Sequence, residues 1–333
     1  MEILKRVHAK NLVKWAKKKP DVLVLSADLT SSCEADAFRD TYPDRFFSMG
    51  IAEQNMLGFA GGLAREGFVP YVHTFAVFIY RRALDQIAMS VAYPNLPVKM
   101  IGFLPGVTTP GGATHQAIED TAIMRSLPNM TVLEVGDATE VENVLDVAYK
   151  IPGPVYVRML RGELPRIFDT PMEFKKARKL SSGKDLVIVS AGICTEEVLR
   201  TTKILKKSGI EASVYHISTL KPFDYPELMK DIKNSKYGVI TMENHSIIGG
   251  LGSCVAECMA EEGIGKKLYR IGINDSFLHG ASRPYLMKEY GIDAPALLAT
   301  VEKAVGKKIK YSEDDLGEVF IPALHSDAKA EAL

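Results

Sequence analysis

The 333-residue sequence is short of most features that announce a function. Lys+Arg and Asp+Glu both total 41, so it has no basic excess, and nucleic acid or an anionic membrane surface is not an expected partner. No uncharged apolar run reaches the length of a membrane span. Charge enters almost at once (Glu2, Lys5, Arg6, Lys10), and no apolar stretch with a small-residue cleavage site follows. A cytoplasmic location is therefore expected. There are four cysteines, Cys33, Cys194, Cys254 and Cys258. Only the last two are close in sequence, at i and i+4, with no second pair or histidine cluster to complete a zinc site. Reduced structural thiols are the expectation, and no metal ligands are assigned. The dinucleotide glycine fingerprint, the Gly-Lys-Ser/Thr phosphate loop and the Gly-x-Ser-x-Gly elbow are all missing. Gly249-Gly250-Leu251-Gly252-Ser253 resembles a phosphate loop only superficially, because it follows Asn244-His245-Ser246 rather than an expected strand and no Lys follows it. It reads as a tight helix entry, with anion binding the lesser reading.

What is present is an alternation. Hydrophobic residues make up 47% and charged residues 25%, ordinary for a water-soluble domain protein. An amphipathic helix at 4–17 precedes Val22–Ala27, a continuous apolar run of the kind found in buried parallel strands. Helices near 52–66, 79–91 and 139–149, and one ending near Ser126, alternate with strands at 69–74, 98–103, 131–135 and 155–159. After a polar stretch the alternation resumes, with strands at 186–190, 212–217, 237–242 and 269–273 and helices at 195–208, 226–234 and 252–262. This predicts an α/β protein of two doubly wound, mostly parallel domains. The first covers 1–165 and the second, smaller one 185–311, with a linker at 166–184 and a tail at 312–333.

The stretch Phe47-Ser48-Met49-Gly50-Ile51-Ala52-Glu53-Gln54-Asn55-Met56 reads as strand, glycine turn and helix start. Met56, Phe59, Ala60 and Leu63 share one helix face. Taken alone, Glu53 is a first-turn carboxylate complementing the helix dipole. Phe75 and Phe78 alone read as core, His115 as a turn residue after a Gly/Pro/Thr loop, and Arg161 as a solvated cation. Position argues otherwise. Asp28, Glu53, Phe75, His115 and Arg161 all fall at or just beyond the C-terminal ends of predicted parallel strands, the edge where such sheets bind ligands.

Gly50-Ile51-Ala52-Glu53-Gln54, Thr74-Phe75-Ala76-Val77-Phe78 and Ala113-Thr114-His115-Gln116 together resemble the pyrimidine-binding domain of thiamine-diphosphate enzymes of the transketolase group. Ser26-Ala27-Asp28-Leu29-Thr30-Ser31-Ser32 is similar to the opening strand and loop of transketolases. Leu220-Lys221-Pro222-Phe223-Asp224 and Glu243 to Gly252 are similar to the transketolase C-terminal domain. The Gly-Asp-Gly…Asn motif that holds the cofactor's diphosphate and Mg²⁺ is not in this sequence. The resemblance therefore implies the C-terminal subunit of a split transketolase. The N-terminal partner would carry that motif and the Mg²⁺, in an α2β2 assembly acting on sugar phosphates.

The resemblance also implies roles. Glu53 would share a proton with N1′ of the aminopyrimidine. Phe78 would lie against that ring, with Phe75, Asp28, Leu29 and Arg81 also on the cofactor side. His115 would serve catalysis and the sugar hydroxyls, and Ser32 and Arg161 the sugar phosphate. Some positions depart from the family. Pro110 and Gly111 replace an acidic pair, Phe103 replaces a substrate-binding histidine, and Arg81 replaces a pocket aromatic. An unusual or modified sugar is the expected substrate. The rival readings are the β-subunit of a 2-oxoacid dehydrogenase, half of a deoxyxylulose-phosphate synthase, and a non-catalytic regulatory subunit.

Overall fold

The apolar run after Asp21 becomes a strand buried along its whole length, and the first sheet is assembled on it. The computed structural model describes residues 2–316. In chain order the first half contains β1 (Ile3–Lys5), α1 (Val7–Ala16), β2 (Val22–Ser26), α2 (Asp36–Thr41), β3 (Phe46–Ser48), α3 (Glu53–Arg65), β4 (Val69–Phe75) and α4 (Ala76–Gln86). It continues with β5 (Lys99–Phe103), α5 (Asp120–Ser126), β6 (Thr131–Glu134), α6 (Ala138–Lys150), β7 (Val155–Met159) and β8 (Glu163–Pro165). The second half has β9 (Arg178–Ser181), β10 (Leu186–Ser190), α7 (Cys194–Lys207), β11 (Ala212–His216), β12 (Thr219–Lys221) and α8 (Pro226–Asn234). Then come β13 (Val239–Ser246), α9 (Leu251–Glu261), β14 (Leu268–Ile273), α10 (Arg283–Glu289) and α11 (Ala294–Val305).

The first sheet has the order β12-β6-β7-β5-β4-β2-β3, parallel except for β12. The second has the order β14-β13-β10-β11-β9, parallel except for β9. The fold is thus α/β, with two mostly parallel sheets flanked by helices. β1 and β8 form a small antiparallel pair of their own.

Several local readings change. Residues 4–17 split into β1 and α1, because Arg6 adopts φ +50° between them. The helix predicted at 79–91 begins at Ala76 and finishes as a π-helical turn at Ile87–Ala92. On α3 the buried face is Met56, Leu57, Ala60, Gly61 and Ala64. Phe59 lies outside it, edge-on to Phe47 at 5.7 Å. The stretch read as a linker is tied down. Ile167 and Phe168 donate backbone N–H groups to Asp137 Oδ2, both at 2.8 Å, and Arg178–Ser181 is the edge strand β9. In the tail, Glu313–Leu316 forms a short 3-10 turn with Leu316 buried, and residues 317–333 lie outside the described residues.

The two halves meet through a buried polar network. Arg158, with no exposed surface, donates to Glu134 Oε1 at 2.6 Å and Asp120 Oδ2 at 2.9 Å. It also donates to the Asn244 carbonyl at 2.8 Å, across the boundary. Such a cation is tolerable inside only because carboxylates and carbonyls surround it.

Candidate active site

Five parallel strands of the first sheet end along one edge in the spatial order β7, β5, β4, β2, β3. They deliver Arg161, His115, Phe75, Asp28 and Glu53 in that same order. Phe75, Asp28 and Arg161 lie at or within two residues of their strand ends, whereas Glu53 opens α3 after β3 and His115 is carried back to the edge by the long loop after β5. At β2 the turn is made by Asp28 in the left-handed region, φ +60°, which Asp tolerates better than most residues. At β3 it is made by Gly50, φ +67°, after which α3 opens directly on Glu53.

These ends enclose a cavity of ≈ 250 Å³ lined by Ala27, Asp28, Leu29, Ile51, Glu53, Phe75, Phe78, Arg82 and His115. The Phe75 and Phe78 rings lie 5.8 Å apart and 24° from parallel. His115 stands edge-on to Phe78 at 5.4 Å, and its Nδ1 lies 2.9 Å from Thr114 Oγ1. Burial, and after it the nearby Arg82, pushes the His115 pKa below its ordinary value, so the imidazole is neutral at pH 7. Glu53 is only 3% exposed, and its Oε1 accepts from Arg82 Nη1 at 2.6 Å. The Arg82 guanidinium lies over Phe78, 3.9 Å from the ring centroid.

Of the residues selected from sequence, Asp28, Leu29, Glu53, Phe75, Phe78 and His115 share this cavity. Ser32 and Arg161 form a second buried cluster beside it. Arg161 donates to the Ser32 carbonyl, and its guanidinium lies 5.5 Å from the Phe75 ring centroid. Arg161 Nε is buried without a hydrogen-bond partner.

Arg81 is not among the lining residues. It donates to Glu119 Oε1 at 2.7 Å and to the Ala113 carbonyl at 2.7 Å, bracing the loop that carries His115 from outside. Its neighbour Arg82 occupies the cavity instead. Helix phase hardly separates the two: counted from Phe78, the pocket residue on α4, Arg82 falls about 40° round one way and Arg81 about 60° round the other.

The glycine run near 250 also resolves. Asn244–Ser246 belong to β13, so the run does follow a strand. The start of α9 is filled by the chain's own carboxylate. Glu243 accepts from Leu251 N at 2.6 Å and Gly252 N at 2.9 Å, and a Cβ on Gly250 would stand 1.9 Å from its Oε2. This is a closed helix entry with no room for an external anion. Burial pushes the Glu243 pKa up to about 8.

Among the described residues no cluster of three or more His, Cys, Asp or Glu side chains could hold a metal ion, and no helix is long and apolar enough to cross a membrane. The four cysteines are unbridged.

Residues 4–166 match the family model for the transketolase pyrimidine-binding domain, and residues 175–297 match that for the transketolase C-terminal domain. The chain belongs to the transketolase family. It is 40% identical over 310 residues to a Methanocaldococcus jannaschii protein described as a transketolase C-terminal section, covering 92% of this chain and 97% of that one. It is 37% identical to a 6-deoxy-6-sulfo-D-fructose transketolase subunit of a Clostridium species, covering 89% and 92%. It is 34% identical to one of the subunits of an apulose-4-phosphate transketolase from Actinobacillus succinogenes, covering 89% and 96%. Among solved structures, a split-gene transketolase described as an inactive β4 tetramer superposes with a TM-score of 0.83 at 40% identity, covering 90% of this chain and 97% of that one. A Pichia stipitis transketolase shares the fold at a TM-score of 0.76 and 21% identity, and the match spans 47% of that longer chain. The protein is a C-terminal subunit of the transketolase type, with close relatives that are subunits of comparable length. These relatives do not favour the oxoacid-dehydrogenase or regulatory readings.

Proposed function

We propose that this transketolase-family subunit supplies the pyrimidine side of a thiamine-diphosphate site. The complete site would transfer a two-carbon ketol unit from a ketose phosphate, or a modified sugar, to an aldose. The observation that carries this reading is the buried carboxylate of Glu53 facing the Phe75/Phe78 wall in a ≈ 250 Å³ cavity. That volume and donor set fit one flat nitrogen heterocycle. Thiamine diphosphate, when bound, supplies the nucleophilic carbon that carries the two-carbon unit.

Glu53 would hold a proton at N1′ of the aminopyrimidine, Phe78 would support the ring face, and Asp28 and Leu29 would close its side. The neutral imidazole of His115 can exchange a proton with a sugar hydroxyl. Arg161, whose buried Nε lacks a partner, would bind the anionic end of the sugar beside Ser32 by charge-assisted hydrogen bonds.

The diphosphate and Mg²⁺ would be held by a separate N-terminal subunit bearing Gly-Asp-Gly…Asn, in a cytoplasmic α2β2 enzyme. The self-association of the related split-gene subunit supports the paired arrangement. Phe103 is fully buried and apolar and Gly111 has no side chain, so neither offers a side-chain hydrogen bond to a sugar hydroxyl. The relatives named for sulfofructose and apulose 4-phosphate support a substrate outside the common pentose phosphates.

Reconstitution with the partner and assay against phosphorylated and sulfonated ketoses tests the reading. Glu53→Gln is expected to lower turnover by about 10²-fold or more, the usual scale for an acid–base group. Unchanged turnover would remove the catalytic assignment, and full-rate turnover of xylulose 5-phosphate with ribose 5-phosphate would remove the unusual-sugar assignment.

A further inference from the structure

Arg82 makes both contacts that the proposed site offers to a flat heterocycle. Its guanidinium is a planar cation with N–H groups at its edge. One of these donates to Glu53 Oε1 at 2.6 Å, and the guanidinium carbon lies over Phe78, 3.9 Å from the ring centroid. Sequence spacing explains why the side chain arrives there. Phe78 and Arg82 are i and i+4 on α4, neighbours on the helix surface, and α4 runs past the start of α3 where Glu53 sits. The side chain remains 42% exposed, so it can leave the cavity without opening the core.

We infer that Arg82 is a resident stand-in for the aminopyrimidine. In the cofactor-free subunit it keeps Glu53 paired and the Phe78 face covered, and cofactor loading must first displace it. The inference rests on the proposed pairing of Glu53 with the heterocycle.

Glu53 can accept more than one hydrogen bond, but two planar groups cannot lie on the same face of Phe78, so the two states exclude one another. The measured affinity for any pyrimidine ligand is then the intrinsic affinity reduced by the fraction of molecules in which Arg82 has swung away. An ion pair with one exposed partner and one cation–π contact are each modest. The latch is therefore weak enough to yield to a ligand and strong enough to be measured. It also serves the empty subunit, because without it a nearly buried carboxylate would face an apolar wall unpaired.

The test is titration calorimetry of the full chain with thiamine, a probe that has the pyrimidine and lacks the diphosphate. Wild type is compared with Arg82→Ala and Arg82→Gln, the second keeping most of the side-chain volume. Both variants are expected to bind thiamine about three- to thirty-fold more tightly than wild type. Equal or weaker binding, or no measurable binding to either variant at millimolar thiamine, would overturn the inference, because removing the occupant must then have freed nothing. Adding Glu53→Gln to each background separates the two ideas. Loss of the gain in the double variant supports both. Undiminished thiamine binding in every Glu53→Gln protein removes the Glu53–pyrimidine pairing, while a persisting advantage of the Arg82 variants retains the competition over Phe78.

Discussion

A Cβ on Gly111 would stand 2.8 Å from the Cβ of His115 and 2.9 Å from its Cγ. The loop carrying the imidazole folds back on itself so tightly that position 111 admits only a hydrogen. Gly111→Ala is therefore expected to displace His115 from its place against Phe78. The predicted effect is a loss of about tenfold or more in kcat/KM, with little change in thermal midpoint because the loop is at the surface. Unaltered kcat/KM in the reconstituted enzyme would show that His115 does not need this position. In this loop conformation any side chain at 111 would compete with the histidine for space.

The second half of the chain holds this loop from behind. Asn244 on β13 accepts from Val107 N at 2.9 Å and donates to the Pro105 carbonyl at 3.0 Å. Gly106, at φ +56°, lets the backbone come close enough, since a Cβ there would lie 2.1 Å from Asn244 Oδ1. Asn244→Ala strands a buried donor and a buried acceptor, so a stability loss of about 2–3 kcal/mol is expected. Loosening of the loop should raise KM as well. Urea denaturation and steady-state kinetics read the two effects. A stability loss with KM unchanged would make Asn244 a purely structural clamp.

Acid should destabilise the protein through a buried imidazole pair. His73 Nδ1 faces the Tyr71 carbonyl at 3.1 Å, so it carries the hydrogen and leaves Nε2 as acceptor. His8 Nε2, 3.0 Å away, must then be the donor, which leaves His8 Nδ1 unprotonated and without a partner. Burial holds His73 down at about 4 and His8 well below its ordinary value. In the unfolded chain both titrate near about 6.5. Between the two values the unfolded state binds more protons, so this contribution is fully present above pH 6.5 and is lost as pH falls toward 4. A His8→Leu/His73→Phe variant should flatten the pH dependence of the urea midpoint over that window by about two protons' worth of slope. An identical slope would show that the pair does not stay neutral.

The strand–helix alternation is legible because parallel strands buried on both faces are written as unbroken apolar runs, as in Val22–Ser26 and Leu186–Ser190. β1, β3, β8 and β12 have three residues each. That is too few for a period, and their pairing is set by tertiary contacts. Helix α11 is signalled by Asp293, which caps it by accepting from Ala296 N at 3.0 Å, and by Gly306 at its end, but its apolar Ala/Leu composition carries little amphipathic contrast. Asp28, Leu29, Glu53, Phe75, Phe78 and His115 can be grouped because strand ends define a common edge. Arg82 is harder to single out from Arg81. Adjacent arginines on a helix differ by about 100° of rotation, and only the starting phase of α4 says which one turns inward. The left-handed turn at Asp28 carries only the weak signal of an aspartate's tolerance for positive φ.

β12 comes from the second half of the chain and completes the first sheet, pairing antiparallel with β6. The ladder is therefore stitched across the boundary between the two family domains. A fragment stopping at residue 165 would leave the free edge of β6 open to strand addition by another copy, and it would strip Arg158 of the Asn244 carbonyl. The pyrimidine side is thus one piece of architecture drawn from most of the chain. If evolution divides this enzyme between genes, the seam has to lie where no strand crosses, and residues 166–184 are not such a place.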